Sequence, residues 1–463
     1  MNFKLQLVAC LPDGDEPVIE DVFTWSREDL SLASVGLTLA ESKSLLQSIQ
    51  QKVIGQQVAT HLWAHHPVGL RKKGSYPLQL KTLFGNVTVD SPRYYLPPTE
   101  AGPKTYSPLQ HLFPQHVTPE RLYLETKWAS LIPYQKTADF LHDVLPIAAK
   151  LTGTTIQHHL HAVVKAQEQQ LPPEVDSFQG VCQLEREALP CPARPLVVGL
   201  DGGYVKHWHK KGCFEVIAGK SIPAEGPAKC FGFVQEVDTK PRRRVFEVLR
   251  SQRLQANQAV EFFTDGAPVL RSLTSYLSAE STHILDWFHL TMRLTVLHQY
   301  ALGFVQVDAT GGKALQDTLT SIKWHLWHGN AERAAEKITD LDDILATHQD
   351  DQLLAKKYGK LKPLTRLITD FQTYVEQNSA SIVDYSERQR YGERVSTGFV
   401  ESAVNQVLAK RLVKRQQMQW TKKGAHFLVQ ARTKVLNEEW EDCFRQQYPG
   451  FRPLPTELMP MAA

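Results

Sequence analysis

Acidic residues are missing from one long stretch of this chain. Between Glu401 and Glu438 there is no Asp or Glu, while eight Lys or Arg fall in "SAVNQVLAKRLVKRQQMQWTKKGAHFLVQARTKVLN". Cysteine is sparse: six, at 10, 182, 191, 213, 230 and 443, and no two form a C-x-x-C pair. That argues against a zinc ribbon, and the spacing argues against a disulfide framework. No apolar run approaches the ~18 residues that a membrane-spanning helix needs. The opening "MNFKLQLVACLPDGDEP" lacks the basic start and long apolar region of a signal peptide, so a cytosolic location is expected. Fixed-period repeats and low-complexity tracts are absent too. The net charge is only +3, which excludes a global polycation. Any grip on nucleic acid must come from local patches.

What is present is a folded chain of 463 residues, 42% apolar and 22% charged, long enough for several domains. Residues 1–115 read as a helical region with a β-hairpin. Leu45, Leu46, Ile49, Val53 and Leu62 keep helical spacing. "LQLKTLFGNVTVDSPRYYLPP" gives two β-prone arms, with Gly85-Asn86 as the expected turn and Pro92 limiting the second arm. Residues 116–175 predict three helices. Thr118-Pro119 starts the first, Pro133 closes it, Pro146 ends the second, and the third begins near Thr152. The outward side of the third carries Gln157, His158, His161 and Lys165. A helix-turn-helix and a plain helical bundle both fit this pattern.

A proline-rich linker is expected over 176–194. The pattern then changes to βββαβαβ over 195–290, a mixed sheet with helices packed on it and therefore an α/β design. Residues 291–395 are helical in pattern, 396–440 carry the basic run, and 441–463 read as a tail.

Three carboxylates stand out by position. Asp201 ends the first expected strand, Asp265 follows the fourth, and Glu401 opens a helix after the helical stretch. Close carboxylates repel unless protonated or bridged by cations. Mg²⁺ or Mn²⁺ suits oxygen donors, and a pair of such ions serves phosphodiester cleavage or transfer. Lys410, Arg411, Lys414, Arg415, Lys422 and Lys423 would then neutralise a DNA backbone beside the metals. The plainer reading makes Asp201 and Asp265 turn residues ahead of glycine and Glu401 a dipole-favoured first-turn acid.

Other candidates keep two readings each. Arg388, Arg390 and Arg394, just before Glu401, suit phosphate or a solvated loop. Trp420 suits base stacking or a small core plug. "KHWHKK" at 206–211 suits phosphate contact or a solvated hairpin tip. His158, His159 and His161 share a helix face without an evident fourth ligand.

Taken together, "LVVGLDGGYVK", "EFFTDGAPVLRSL", "HILDWFHLTMRL" and the run from Ser396 to Asn437 resemble the DDE transposases of bacterial insertion sequences. The likeness is to the Kra-type group, itself similar to Mutator-like transposases, and it extends to the hairpin and to "TKWASLIPYQKTADFLHDVLP". The resemblance implies an RNase H-like core interrupted by an all-helical insertion and a helix-turn-helix over 116–175. Asp201, Asp265 and Glu401 would be the catalytic residues and hold two Mg²⁺ or Mn²⁺ ions. Asp286 and His289 of "DWFH" would stand near the active site, or simply orient the core. DNA, both element ends and target, would be the partner of at least a dimer, in a bacterial, nucleoid-associated setting. The alternatives are a transposase-derived DNA-binding regulator without catalysis, or a structure-selective nuclease on the same core. Relatives in this class often carry a cysteine pair after the hairpin, and "YYLPPTEAGPKTYSP" has none.

Overall fold

The computed structural model describes the chain except residues 11–17, 29, 33–34, 98–103, 111, 114, 148–150, 175–181, 191–193, 268–280, 350–356, 414–417 and 453–463. It is mixed α/β and divides into two compact units, Met1–Glu168 with Lys434–Ala463, and Gln169–Thr433. Among the described residues no helix is long and apolar enough to cross a membrane.

The first unit opens with two antiparallel strands, β1 (Asn2–Ala9) and β2 (Val18–Ser26), which the sequence reading missed. The signal was there: Phe3, Leu5 and Leu7 alternate with Lys4 and Gln6, and Phe3 stacks on Trp25 at 5.0 Å. Helix α1 (Leu39–Ala64) follows, where helical spacing predicts it. A reciprocal capping box between Thr38 and Glu41 starts it. Its Ile54 and Val58 pack with Leu80, Val87 and Val89 of β3 (Lys72–Thr82) and β4 (Gly85–Tyr95). The expected hairpin therefore exists, with two corrections. Thr82 pairs with Gly85, so Leu83 and Phe84 make the turn and Gly85 is already strand. Pro92 does not stop β4, which runs to Tyr95. A short strand, β5 (Thr105–Tyr106), pairs with β4 only at Tyr94 and Tyr95, so the missing N–H of Pro92 disturbs no second ladder.

The three expected helices are α2 (Pro119–Leu131), α3 (Tyr134–Val144) and α4 (Gly153–Gln170). Thr118 takes the N-cap position, but its side chain makes no capping bond. Glu125, fully buried on α2, accepts from Arg121 at 2.8 Å and is bonded to His159 of α4. A buried carboxylate needs such partners, and these two tie the helices together. The segment expected as a tail contains a helix, Trp440–Gln447, whose Phe444 meets Tyr123 edge-on at 5.4 Å.

The second unit holds a short helix, α5 (Gln183–Glu187), and then a five-stranded sheet. Its strands are β6 (Leu196–Lys206), β7 (Cys213–Ile222), β8 (Lys229–Phe233), β9 (Val260–Thr264) and β10 (Ser281–Leu285), with α6 (Pro241–Ser251) between β8 and β9. The order is β10-β9-β6-β7-β8: β6, β7 and β8 are antiparallel, while β9 and β10 run parallel to β6. The expected helix after Asp265 falls on residues 268–280, outside the described ones. Leu196, Val198 and Leu200 point to one face, where they pack with Val245, Val248 and Leu249 of α6. A period of two sends Val197, Gly199, Asp201 and Gly203 to the other face.

The sequence alone suggests a strand ending at Asp201, with Gly202-Gly203 as a turn in the plainer reading. The strand continues to Lys206, and those glycines pair with Ile217 and Val216.

After β10 the described residues to Arg390 form helices: α7 (Trp287–Val305), α8 (Ala309–Trp327), α9 (Ala331–Gln349), α10 (Leu361–Gln377) and α11 (Tyr385–Arg390), with a short 3-10 turn at Ser379–Ser381. They share one core, which continues through Phe263, Ile284 and Leu285 into the sheet. The chain then returns to β6 as α12 (Gly398–Val404), extended by a π-helix over Asn405–Val413, and ends the unit with α13 (Lys422–Leu436).

Glycine lets α12 lie so close. A Cβ at Gly199 would stand 1.9 Å from Val400 Cγ2, and one at Gly203 would stand 2.6 Å from Leu408 Cδ1. Gly199→Ala is expected to cost about 1–3 kcal/mol, as overpacking does. Urea melts check this, and an unchanged midpoint would mean that α12 yields freely.

Candidate active site

The parallel register between β6 and β9 pairs Gly199 with Phe263. That ladder ends there; Asp201 lies two residues further along β6, and Asp265 directly follows β9, near enough for its charge to act on the Asp201 carboxyl. Asp201 accepts a hydrogen bond from Gly202 N at 2.7 Å, and Asp265 accepts from Ala267 N at 2.9 Å. Burial pushes the Asp201 carboxyl above its ordinary range. His289 opposes the shift, and the negative charges of Asp265 and Asp286 add to it. Glu215 on β7 is also raised, first by burial and then by Asp265 and Asp201. Sequence reading missed Glu215, because only the hairpin register brings it within reach. The structure thus gathers Asp201, Asp265, Asp286 and His289 at one edge of the sheet.

Glu401 is placed differently. Val400, Val404 and Leu408 form the stripe of α12 and its π extension that lies over Gly199 and Gly203. Glu401 follows Val400, about a quarter-turn around the helix, and is exposed. The ligand oxygens of Asp201, Asp265 and Glu401 do not all fall within 4.8 Å of one another. Hard oxygen donors at a desolvated, mutually repelling site fit divalent cations.

Asp286 is fully buried and caps α7 by accepting from Phe288 N at 2.9 Å. It also accepts from Thr397 N at 3.1 Å and from Thr397 Oγ1. Thr397 directly precedes α12, so Asp286 fixes the root of the helix that carries Glu401. His289 Nε2 lies 3.6 Å from Asp286 Oδ2, and its side chain is part exposed. The helical segment reaches the site as well. Tyr374 of α10 donates to the Asp265 carbonyl at 2.9 Å, and Arg293 of α7 stacks over the Tyr374 ring at 4.0 Å.

The cations named from the sequence divide. Arg388 is bound to Glu261 at 2.7 Å and Glu393 at 3.2 Å, Arg390 donates to Ser386, and Arg394 lies over Phe399. Arg411 is buried over the ring of Trp420, and Trp420 is itself buried, which favours the plug reading. Burial, with nearby Arg411, brings the Arg432 guanidinium down to about 10 while it donates to the Gln406 carbonyl. Lys422 pairs with Glu236. Lys410 and Lys423 are exposed, and Lys414 and Arg415 lie outside the described residues. The basic run is therefore not one cationic face. In the first unit, His158 and Lys165 are exposed, Gln157 and His161 are half-buried, and His159 turns inward to Glu125.

A raised carboxyl has a consequence for stability. Asp201 holds its proton to higher pH in the native state than in the unfolded chain. The stability it contributes is full below its unfolded value and is lost as pH rises through the raised native value. Divalent cations should therefore raise the melting midpoint more at pH 8 than at pH 5. At ~100 times the dissociation constant the stabilisation is about 2.7 kcal/mol. Asp201→Asn should raise the metal-free midpoint at pH 8 and remove the increment. Equal increments at both pH values would count against a carboxylate metal site here.

No known family model matches the chain, and a comparison with curated protein sequences gives no significant match.

Proposed function

We propose that this protein is a DNA transposase of the DDE type, acting with two divalent ions on an RNase H-like core. One observation carries the reading. Asp201 on β6 and Asp265, directly after the neighbouring parallel strand β9, lie close enough for their charges to interact, and a helix bearing Glu401 is laid across the Asp201 strand through a gap left by glycine. Asp201, Asp265 and Glu401 would hold the ions. When bound, the ions supply an activated water or 3′-hydroxyl and a stabilised leaving oxygen. The chain's own part is to fix the three carboxylates. Tyr374 holds the Asp265 backbone, Asp286 and Thr397 hold the start of α12, and His289 offers a positive charge beside Asp201 when protonated. The helical stretch after β10 serves as the all-helical insertion, and α2–α4 as a DNA-binding helix-turn-helix. The second and third helices there join through a longer connection than the first and second, and α4 exposes His158 and Lys165.

The test is cleavage and joining of DNA carrying the element's ends, with Mg²⁺ or Mn²⁺. Cutting followed by joining of a labelled 3′-end to plasmid supports the reading. Cutting without joining makes the protein a nuclease, and binding without cutting makes it a regulator.

A further inference from the structure

The "KHWHKK" segment is not used by the carboxylate site, yet it continues the strand that carries Asp201. Strand β6 runs on for five residues beyond Asp201 to Lys206, about 17 Å at strand rise, and turns back into β7 at Cys213. At this tip Trp208 is 60% exposed and Tyr204 68% exposed. An indole left in water forgoes the gain of burial, so its setting is informative.

That setting is rigid. Trp208 N donates to the Trp420 carbonyl at 2.9 Å, and Trp420 N donates to the Lys206 carbonyl at 2.9 Å. His207 N donates to the Gly212 carbonyl at 3.1 Å, and His209 N donates to His207 Nδ1 at 3.0 Å. The His207 ring meets Phe214 edge-on at 5.7 Å. Both neighbours of Trp208 are thus pinned while its ring faces solvent. The charge is of one sign: from Gly203 to Phe214 there are Lys206, Lys210 and Lys211 and no Asp or Glu.

We infer that Trp208 is a stacking platform for an unpaired DNA base, with Lys206, Lys210 and Lys211 holding the adjoining phosphates. A pinned aromatic among cations is what single-strand binding uses, since every base offers a face and every nucleotide a negative charge. The inference rests on the DNA-transposase reading for its substrate. It adds that the DNA must be locally single-stranded a few nucleotides from the phosphate held at Asp201.

The test is fluorescence anisotropy, without divalent ions so that cutting plays no part. The full chain is titrated onto a labelled single-stranded oligodeoxynucleotide and onto the same sequence as duplex. Trp208→Ala should weaken single-strand binding by at least about fivefold and leave duplex binding nearly unchanged. Trp208→Phe should keep most of the affinity. An oligonucleotide carrying 5-iododeoxyuridine should photocrosslink to residues 204–211. Unaltered single-strand affinity in Trp208→Ala overturns the inference, and so does equal loss on single strand and duplex. Failure to bind either DNA overturns it too. The two proposals fail separately. If wild type nicks DNA but Trp208→Ala binds single strands normally, only the stacking platform falls. If wild type never nicks but the variant loses single-strand binding, the platform stands and the transposase reading falls.

Discussion

Asp201→Asn and Asp265→Asn should each abolish metal-dependent cleavage while the protein still folds and still binds DNA. Loss of a residue that only orients a metal ligand commonly costs about 10–100-fold, so loss of a ligand itself should cost more than about 100-fold. Glu401→Gln should behave in the same way, though its carboxylate is exposed and does not converge with the other two within 4.8 Å. The amide is nearly isosteric but neutral, so binding and melting data separate lost chemistry from lost fold. Cleavage by Glu401→Gln at the wild-type rate would make Glu401 a first-turn acid and nothing more. Attention would then pass to Glu215, the carboxylate on β7 that feels both aspartates.

Thr397→Val should lower the cleavage rate by about 10–100-fold with little change in DNA affinity, the range seen when the support of a metal ligand is removed. Thr397 meets Glu401 through the backbone, its carbonyl accepting from Glu401 N at 3.2 Å. Its hydroxyl and amide donate to Asp286, and the next residue begins α12. Valine keeps the shape and the amide bond but leaves Asp286 one donor short. A hydrogen bond to a charged group is worth about 1.5–3 kcal/mol, so a measurable loss of stability should accompany the rate effect. Thr397→Ser keeps the hydroxyl and should restore most of the rate. Equal rates for Val and Thr would show that α12 is held by packing alone.

The sequence announced the pieces of this site better than their assembly. Asp201 and Asp265 were legible because each ends or adjoins an apolar β-prone run, and such runs are read from period and composition. Glu401 was legible as the lone acid ahead of a basic stretch. The continuation of β6 through Gly202-Gly203 was not, because a glycine pair reads as a turn unless one knows that a helix must pass over it. Glu215 depends on hairpin register, and Thr397 on a contact 111 residues away. No local pattern carries either. The basic run misled for a related reason. Charge in sequence says nothing about burial, and Arg411 and Arg432 are spent on Trp420 and the Gln406 carbonyl. Trp208 and Trp420 both neighbour basic residues in sequence, but Trp208 is 60% exposed and Trp420 only 4%.

The bond between Asp286 and Thr397 also bears on how the molecule comes into being. Closing a flexible loop of 111 residues costs about 4 kcal/mol in chain entropy before any contact repays it. The helices of that stretch pack in one core with Phe263, Ile284 and Leu285 of the sheet, and that packing offsets the closure. Until they fold, the nascent chain carries Asp201 and Asp265 but has no seat for Glu401. On the proposed transposase reading, the third metal ligand would arrive late, with the last third of the chain, rather than with the strands that bear the first two acids.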